Sequence, residues 1–210
     1  MEVKERILSK ATDLFMRYGI RSVTMDEIAA QLGISKKTIY QFFTDKDEIV
    51  EAVIDCEIRN NEDDCKRFRQ NSENAVHEVF VAIDEMEKML KAMNPLIMYD
   101  LEKHHPKSYK KFKSHKYQFL NTTIRENIER GIREELYRDD LNIDIVSKHR
   151  IESVFTGFNQ DLFPHSRYKL SDVGYELSML FLHSIVTPKG KKLIEKYLTE
   201  RKKNLSYDKV

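Results

Sequence analysis

The sequence predicts an all-α protein: an N-terminal three-helix segment built around a helix-turn-helix, followed by a longer C-terminal helical region. Three observations carry this. Apolar residues recur three and four positions apart rather than two, the period of helices with one buried face. Only six Gly and four Pro interrupt 210 residues, too few for a turn-dense β-protein. Helix-capping residues, Thr24 and Ser35, open two short periodic stretches, with Gly33 between them.

The first helix spans about 2–18, where Val3, Ile7, Ala11, Leu14, Phe15 and Tyr18 share a face and Gly19 supplies a stop. Thr24-Met-Asp-Glu27 has the spacing of a capping box, and Val23 and Ile28 flank it as a hydrophobic staple. Gly33 ends this second helix, and Ser35 caps a third that is expected to run to about Phe43. Thr44-Asp-Lys-Asp47 caps a longer fourth helix with Ile49, Ala52, Val53 and Cys56 on its buried stripe. Further helices are expected near 72–92, 95–103, 106–131, 143–160, 171–186 and 188–203, with loops at 132–142 and 161–170. Pro95, Pro106 and Pro188 suit first helical turns, and Gly131 stands where a helix could stop. The tail from Lys189 to Lys209 is basic, and its last residues are expected to fray.

Charge and composition exclude several classes. With 36 Lys and Arg against 35 Asp and Glu, the overall balance is silent about nucleic acid. The longest apolar run, Val79 to Ile83, is far short of the ~20 residues that span a bilayer. The charged start, Met1-Glu-Val-Lys-Glu-Arg6, lacks the apolar stretch of a secretory signal, so a cytoplasmic protein is expected. Cys56 and Cys65 are nine apart, about half a rotation on one helix, and are expected as free core thiols. Two charge skews stand out: eight acids against Arg59 from Asp47 to Asp64, and six Lys and three His with no acid from Lys103 to Lys116. The second is read as a solvated face, or else as a portal for an anionic effector or an added contact with DNA.

Function concentrates in Thr24 to Lys46. Ala29 is small enough for close helix approach, Gly33 can adopt positive φ, and Ile34 can plug the angle between the two helices. On the second of them, Ile39 and Phe43 should pack inward with Ile28 and Leu32, leaving Lys36, Lys37, Thr38, Tyr40 and Gln41 outside. Lys, Thr and Tyr donate to phosphate oxygens, and Gln and Lys can also read base edges. Thr24 and Ser35 sit at helix N-termini, which favour phosphate, and Lys46 begins the next helix where it could clamp the backbone. Residues 1–47 carry eight bases and seven acids, so attraction to a duplex must come from placement.

Thr24 to Val50, and above all Thr38-Ile-Tyr40-Gln-Phe-Phe43-Thr-Asp-Lys46-Asp-Glu-Ile-Val50, resembles the DNA-binding segment of the TetR family of bacterial transcriptional regulators. The resemblance covers about residues 3–55. It implies a three-helix DNA-binding domain, here 1–46, a linking fourth helix, and a helical domain, 47–210, that dimerises and holds a small effector. It also implies that Tyr40 and Lys46 anchor phosphates, commonly with Thr24 and Thr38, and that Lys36, Lys37 and Gln41 occupy positions that vary with operator sequence. Where Lys37 stands, such regulators often carry Gly or another small residue. The expectation is a repressor that binds a palindromic double-stranded operator as a homodimer and is released by a small molecule.

Met86, Met89, Met93, Met98, Tyr99, Phe112, Phe119 and Phe155 are the candidate effector-pocket residues, since pliable and aromatic side chains make adaptable walls. Val154, Phe158, Leu177, Phe181 and Ile185 are the candidate dimer contacts, with an intramolecular core as the competing assignment. No Gly-rich phosphate loop, Gly-x-Ser-x-Gly elbow or Cys-x-x-Cys pair occurs, and Glu102 with His105 is a single i, i+3 pair where a di-iron bundle needs two. No enzyme, cofactor or metal is expected. The competing reading is a helical ligand-binding or adaptor protein without DNA function.

Overall fold

A computed structural model describes residues 2–207; the final residues of the basic tail, where fraying is expected, lie outside the described residues. Eleven α-helices are described: α1 (Val3–Tyr18), α2 (Met25–Leu32), α3 (Lys36–Tyr40), α4 (Lys46–Asn71), α5 (Ala75–Ala92), α6 (Ile97–His104), α7 (Pro106–His115), α8 (Asn121–Arg133), α9 (Ile143–Thr156), α10 (Leu170–Ile185) and α11 (Pro188–Tyr207). A π-helical turn, Lys116–Leu120, joins α7 to α8. No strand occurs among the described residues, and one isolated antiparallel bridge pairs Tyr137 with Val186. The chain divides into two compact units, residues up to 63 with 89–116, and 64–88 with 117 onward.

The first unit contains the helix-turn-helix. Its core gathers Ile7, Ala11, Leu14 and Phe15 of α1, Ile28 and Ala29 of α2, Ile39, Phe43, and Ile49, Val50 and Val53 of α4, with Leu101 of α6. Ile7, Ile28, Ile39 and Ile49 are wholly buried, each a contribution of about 1.5–3 kcal/mol relative to exposure. The i, i+4 stripes of three helices thus meet as their periodicity predicts, and that packing fixes which face of α3 points out. The second unit has its own core: Val76, Phe80 and Ile83 of α5, Ile128 of α8, Tyr137, Phe181, Leu182 and Ile185 of α10, and Ile194 and Tyr197 of α11.

Several local expectations change. The third helix ends at Tyr40 rather than Phe43, because the Gln41 and Phe42 N–H groups donate three residues back, to Thr38 and Ile39 carbonyls, and tighten the last turn. Asp45, not Thr44, caps α4: its Oδ1 accepts the Glu48 N–H at 2.8 Å, while Glu48 reaches back to the Thr44 N–H and hydroxyl. The single helix expected over 106–131 is interrupted by the π-helical turn, and α9 stops at Thr156. Pro95 lies ahead of α6 rather than in its first turn, whereas Pro106 and Pro188 open α7 and α11. Gly131 does not stop a helix. It lies inside α8, where an added Cβ would stand 2.0 Å from the ring of buried Tyr137. Cys56 and Cys65 are half-buried, are not joined in a disulfide, and are not core residues.

Candidate nucleic-acid interface

The turn of the helix-turn-helix is built by three residues. Thr24 Oγ1 accepts the Glu27 N–H at 3.1 Å and opens α2. Gly33 adopts φ +65°, a left-handed conformation that carries a steric cost for residues with a Cβ, and closes it. Ser35 Oγ then accepts the Thr38 N–H at 3.1 Å and opens α3. The Ser35 and Thr38 hydroxyls are also 2.9 Å apart and hydrogen-bonded to each other.

With Ile39 and Phe43 buried, the opposite side of this segment presents Lys37, Tyr40 and Gln41 to solvent, Tyr40 being 48% exposed. The two neighbouring lysines differ. Lys36 Nζ lies 2.7 Å from Asp26 Oδ2 of α2, and that hydrogen bond raises its pKa. Lys37 makes no ion pair among the described residues and is the unencumbered cation of this face. Phe42, exposed beside Tyr40, is a surface aromatic that helical periodicity does not identify as outward, since it lies in the turn beyond α3.

Lys46 is held more closely than a surface clamp. Its Nζ donates to the Ile20 carbonyl at 2.6 Å and lies 5.9 Å from the centroid of the Phe15 ring. Burial of the ammonium lowers its pKa, against the nearby carboxylates of Asp100 and Asp47. Lys46 therefore braces the turn between α1 and α2. On its other side that turn meets buried Asp100, whose Oδ2 accepts the Arg21 N–H at 2.9 Å. No pattern in the sequence marks Asp100, because its partner is 79 positions away.

The basic run from Lys103 to Lys116 is neither wholly solvated nor wholly available to a ligand. Lys111 Nζ lies 2.8 Å from Glu51 Oε1 and 2.7 Å from Asp55 Oδ2. His105 Nδ1 pairs with Asp47 Oδ1 at 2.6 Å, and the His115 ring lies 3.0 Å from Asn61 Oδ1 and 3.5 Å from Glu62 Oε1. Asp47, Glu51 and Asp55, four apart on α4, thus meet His105 and Lys111, and the two charge skews are paired over part of their length. Burial pushes the His115 pKa down, partly countered by Glu62.

Of the candidate pocket residues, Met89, Met93, Met98, Tyr99 and Phe112 belong to the first unit, and Met86, Phe119 and Phe155 to the second. Phe112 packs against the first unit's own core. A cleft of about 440 Å³ in that unit is lined by Tyr18, Arg21, Asn94, Leu96, Tyr99 and Asp100, so Tyr99 is the one candidate it includes. Of the candidate dimer contacts, Phe181 and Ile185 are 7% and 2% exposed within the second unit's core, which favours the competing intramolecular assignment for these two. The reason is that α10 is apolar around more than one face through Met179-Leu180-Phe181-Leu182, so periodicity leaves its inward side undetermined. Val154, Phe158 and Leu177 are half-buried, and Leu180 is 68% exposed.

A capped turn between two short helices, the second presenting an exposed basic and aromatic face, defines a helix-turn-helix protein of the nucleic-acid-binding type. Residues 7–53 match the family model for bacterial regulatory proteins of the tetR family. The chain is 31% identical over 104 residues to the HTH-type transcriptional regulator YvaF of Bacillus subtilis, spanning 48% of this chain and 53% of that protein. It is 32% identical over 53 residues to the regulator SrpR of Pseudomonas putida, 25% of each. The chain thus matches about half the length of the first of these relatives, and less of the second.

Among solved structures, a transcriptional regulator from Cytophaga hutchinsonii superposes with TM-score 0.68 at 21% identity, covering 87% of this chain and 98% of that one. One from Saccharomonospora viridis, in complex with choline, gives 0.69 at 19% identity over 88% and 97%. FadR from Bacillus subtilis, in complex with stearoyl-CoA, gives 0.65 at 14% identity over 84% and 96%. At these identities the likeness establishes the fold. The likeness in sequence to the tetR family is thus one of the N-terminal segment, residues 7–53.

Proposed function

We propose that the protein is a cytoplasmic transcriptional repressor that binds a near-palindromic operator as a homodimer and leaves it when a small effector binds the helical region. In this reading residues 1–46 bind DNA, and 47–210 bind the effector and dimerise. The observation that carries it is the segregation of the α3 segment, with Ile39 and Phe43 buried and Lys37, Tyr40 and Gln41 outward. Lys37 and Gln41 would face base edges. Tyr40, Thr38, Lys36 and the α2 and α3 N-termini at Thr24 and Ser35 would face phosphates, and Lys46 would add its remaining N–H groups.

The half-buried Val154, Phe158 and Leu177, with exposed Leu180, supply the apolar face proposed for the dimer. A two-fold pair sets its reading helices about 34–36 Å apart, the distance between successive major grooves. Pliable side chains for an effector are present in each unit taken by itself, Met89, Met93, Met98 and Tyr99 in the first and Met86, Phe119 and Phe155 in the second. Relief of repression needs a coupling of only about 1–3 kcal/mol, delivered through α4.

Selection of bound sequences from a random duplex pool, with light scattering of the free protein, tests the reading. Enrichment of an inverted repeat by a dimer supports it. A monomer that enriches nothing would leave the helical ligand-binding or adaptor alternative.

A further inference from the structure

The second unit holds three substantially buried guanidinium groups, and they are treated differently. Arg130 is hydrogen-bonded to Glu78 at 2.9 Å and to Glu134 at 2.7 Å. Arg201 is paired with Asp84 at 2.8 Å and with Glu87. Arg150 on α9 is the most enclosed of the three, 8% exposed, and meets no carboxylate among the described residues. Its Nη2 donates to Ser178 Oγ of α10 at 2.9 Å, and the Ser178 hydroxyl in turn donates to the Gly174 carbonyl. Its Nη1 is sealed from solvent with no acceptor. The guanidinium carbon lies 4.9 Å from the centroid of the Phe181 ring.

Isolated burial is the costliest setting for a charge, and the penalty is several kcal/mol per ion unless a partner offsets it. Burial draws the Arg150 pKa down to about 10, opposed by Tyr137. If the role were packing alone, an apolar side chain of the same length would fill the space at lower cost. A guanidinium fork with one arm on a hydroxyl and one arm unspent is instead the geometry that receives a carboxylate through two parallel bonds.

We propose that Arg150 and Ser178 form the anion-receiving end of a ligand site between α9 and α10, and that its ligand is a small carboxylate with an apolar or aromatic body. The carboxylate takes the Nη1–H and an Nη2–H, and the apolar body lies against Phe181. Because Nη1 is closed over, admission of the ligand requires α9 and α10 to part locally, which gives the ligand a higher affinity for the opened packing. This deepens the effector reading above and rests on it for its regulatory consequence. The binding test involves no DNA.

The test is thermal unfolding of the full chain with sodium octanoate as the probe, against octan-1-ol and matched sodium chloride, for wild type, Arg150→Met and Arg150→Lys. The expected result is a melting temperature that rises with octanoate in wild type but with neither control, as binding to the native state requires. Arg150→Met melts no lower than wild type without the probe and shows no rise with it. Arg150→Lys keeps the charge without the fork, and its half-saturation lies about tenfold higher. The proposal is overturned by equal octanoate shifts in wild type and Arg150→Met, by no shift of wild type, or by a loss of stability in Arg150→Met that Arg150→Lys restores without any probe response. An Arg150-dependent shift with unchanged operator affinity leaves the anion site standing and removes its role as effector site.

Discussion

The backbone N–H of Arg21 donates to the buried carboxylate of Asp100 at 2.9 Å, so α6 holds the turn that leads into the helix-turn-helix. The grip is multiple. The Asn94 N–H donates to the Met16 carbonyl at 2.6 Å, and Lys46 Nζ takes the Ile20 carbonyl from the other side. Gly19, at φ +83°, lets the chain pass close to these groups, since a Cβ there would lie 3.2 Å from Asp100 Oδ2. A displacement of α6 would therefore reach the turn between α1 and α2 through hydrogen bonds rather than through apolar packing alone.

Asp100→Ala removes a charge-assisted bond to a main-chain donor and is expected to cost about 1.5–3 kcal/mol in urea unfolding. Asp100→Asn keeps an acceptor of the same size and should lose less. A neutral effect of the alanine substitution would show that the other contacts hold the turn without Asp100.

Gly131→Ala is expected to be the more damaging of two glycine substitutions. Its Cβ would enter the ring of Tyr137, which is fixed by hydrogen bonds from its hydroxyl to the Ala75 carbonyl and Asn127. Overpacking of this kind costs about 1–3 kcal/mol or more. Gly33→Ala meets nothing within 4 Å and bears only the left-handed backbone penalty, about 1–2 kcal/mol. Urea midpoints of the two variants rank them.

Much of the helix-turn-helix is legible in the sequence because its determinants are local. Thr24, Ser35 and Gly33 act within four residues of their own positions, and burial of Ile28, Ile39 and Phe43 follows from helical spacing. Contacts between distant segments are not legible. The acids of α4 and the bases of α7 read as two separate skews until the structure pairs Glu51 and Asp55 with Lys111. The π-helical turn at 116–120 has no Gly or Pro to announce it, and Phe181 and Ile185 lie on a helix too apolar to reveal its inward side.

Lys37→Ala should weaken binding to duplex DNA and reduce the slope of log K against log salt by about one. Lys36→Ala should change it less, since Lys36 already faces Asp26. Asp26→Asn should strengthen binding by releasing Lys36. Titrations at several salt concentrations, read by fluorescence anisotropy, distinguish the three; equal slopes in both lysine variants would show that the Asp26 contact does not hold in solution.

Acidification should destabilise the protein in part through His115. Its folded-state pKa lies below its unfolded value, so the unfolded chain binds the proton first. The stabilisation is present above the unfolded pKa of about 6.5 and is lost as pH falls below it, down to the folded-state pKa. His115→Gln should flatten that part of a stability profile between pH 7.5 and 5; an unchanged profile would assign the acid sensitivity to other groups.

The central claim is that the surface around Tyr40 lies against a duplex. Its most direct test is the affinity of wild type and of the Lys37→Ala, Tyr40→Phe double variant for random-sequence duplex DNA at rising salt, with circular dichroism to confirm that both are folded. The account predicts wild-type binding that falls steeply with salt and a folded variant about tenfold weaker or more at low salt. Equal affinities and equal salt slopes for the two folded proteins would contradict it.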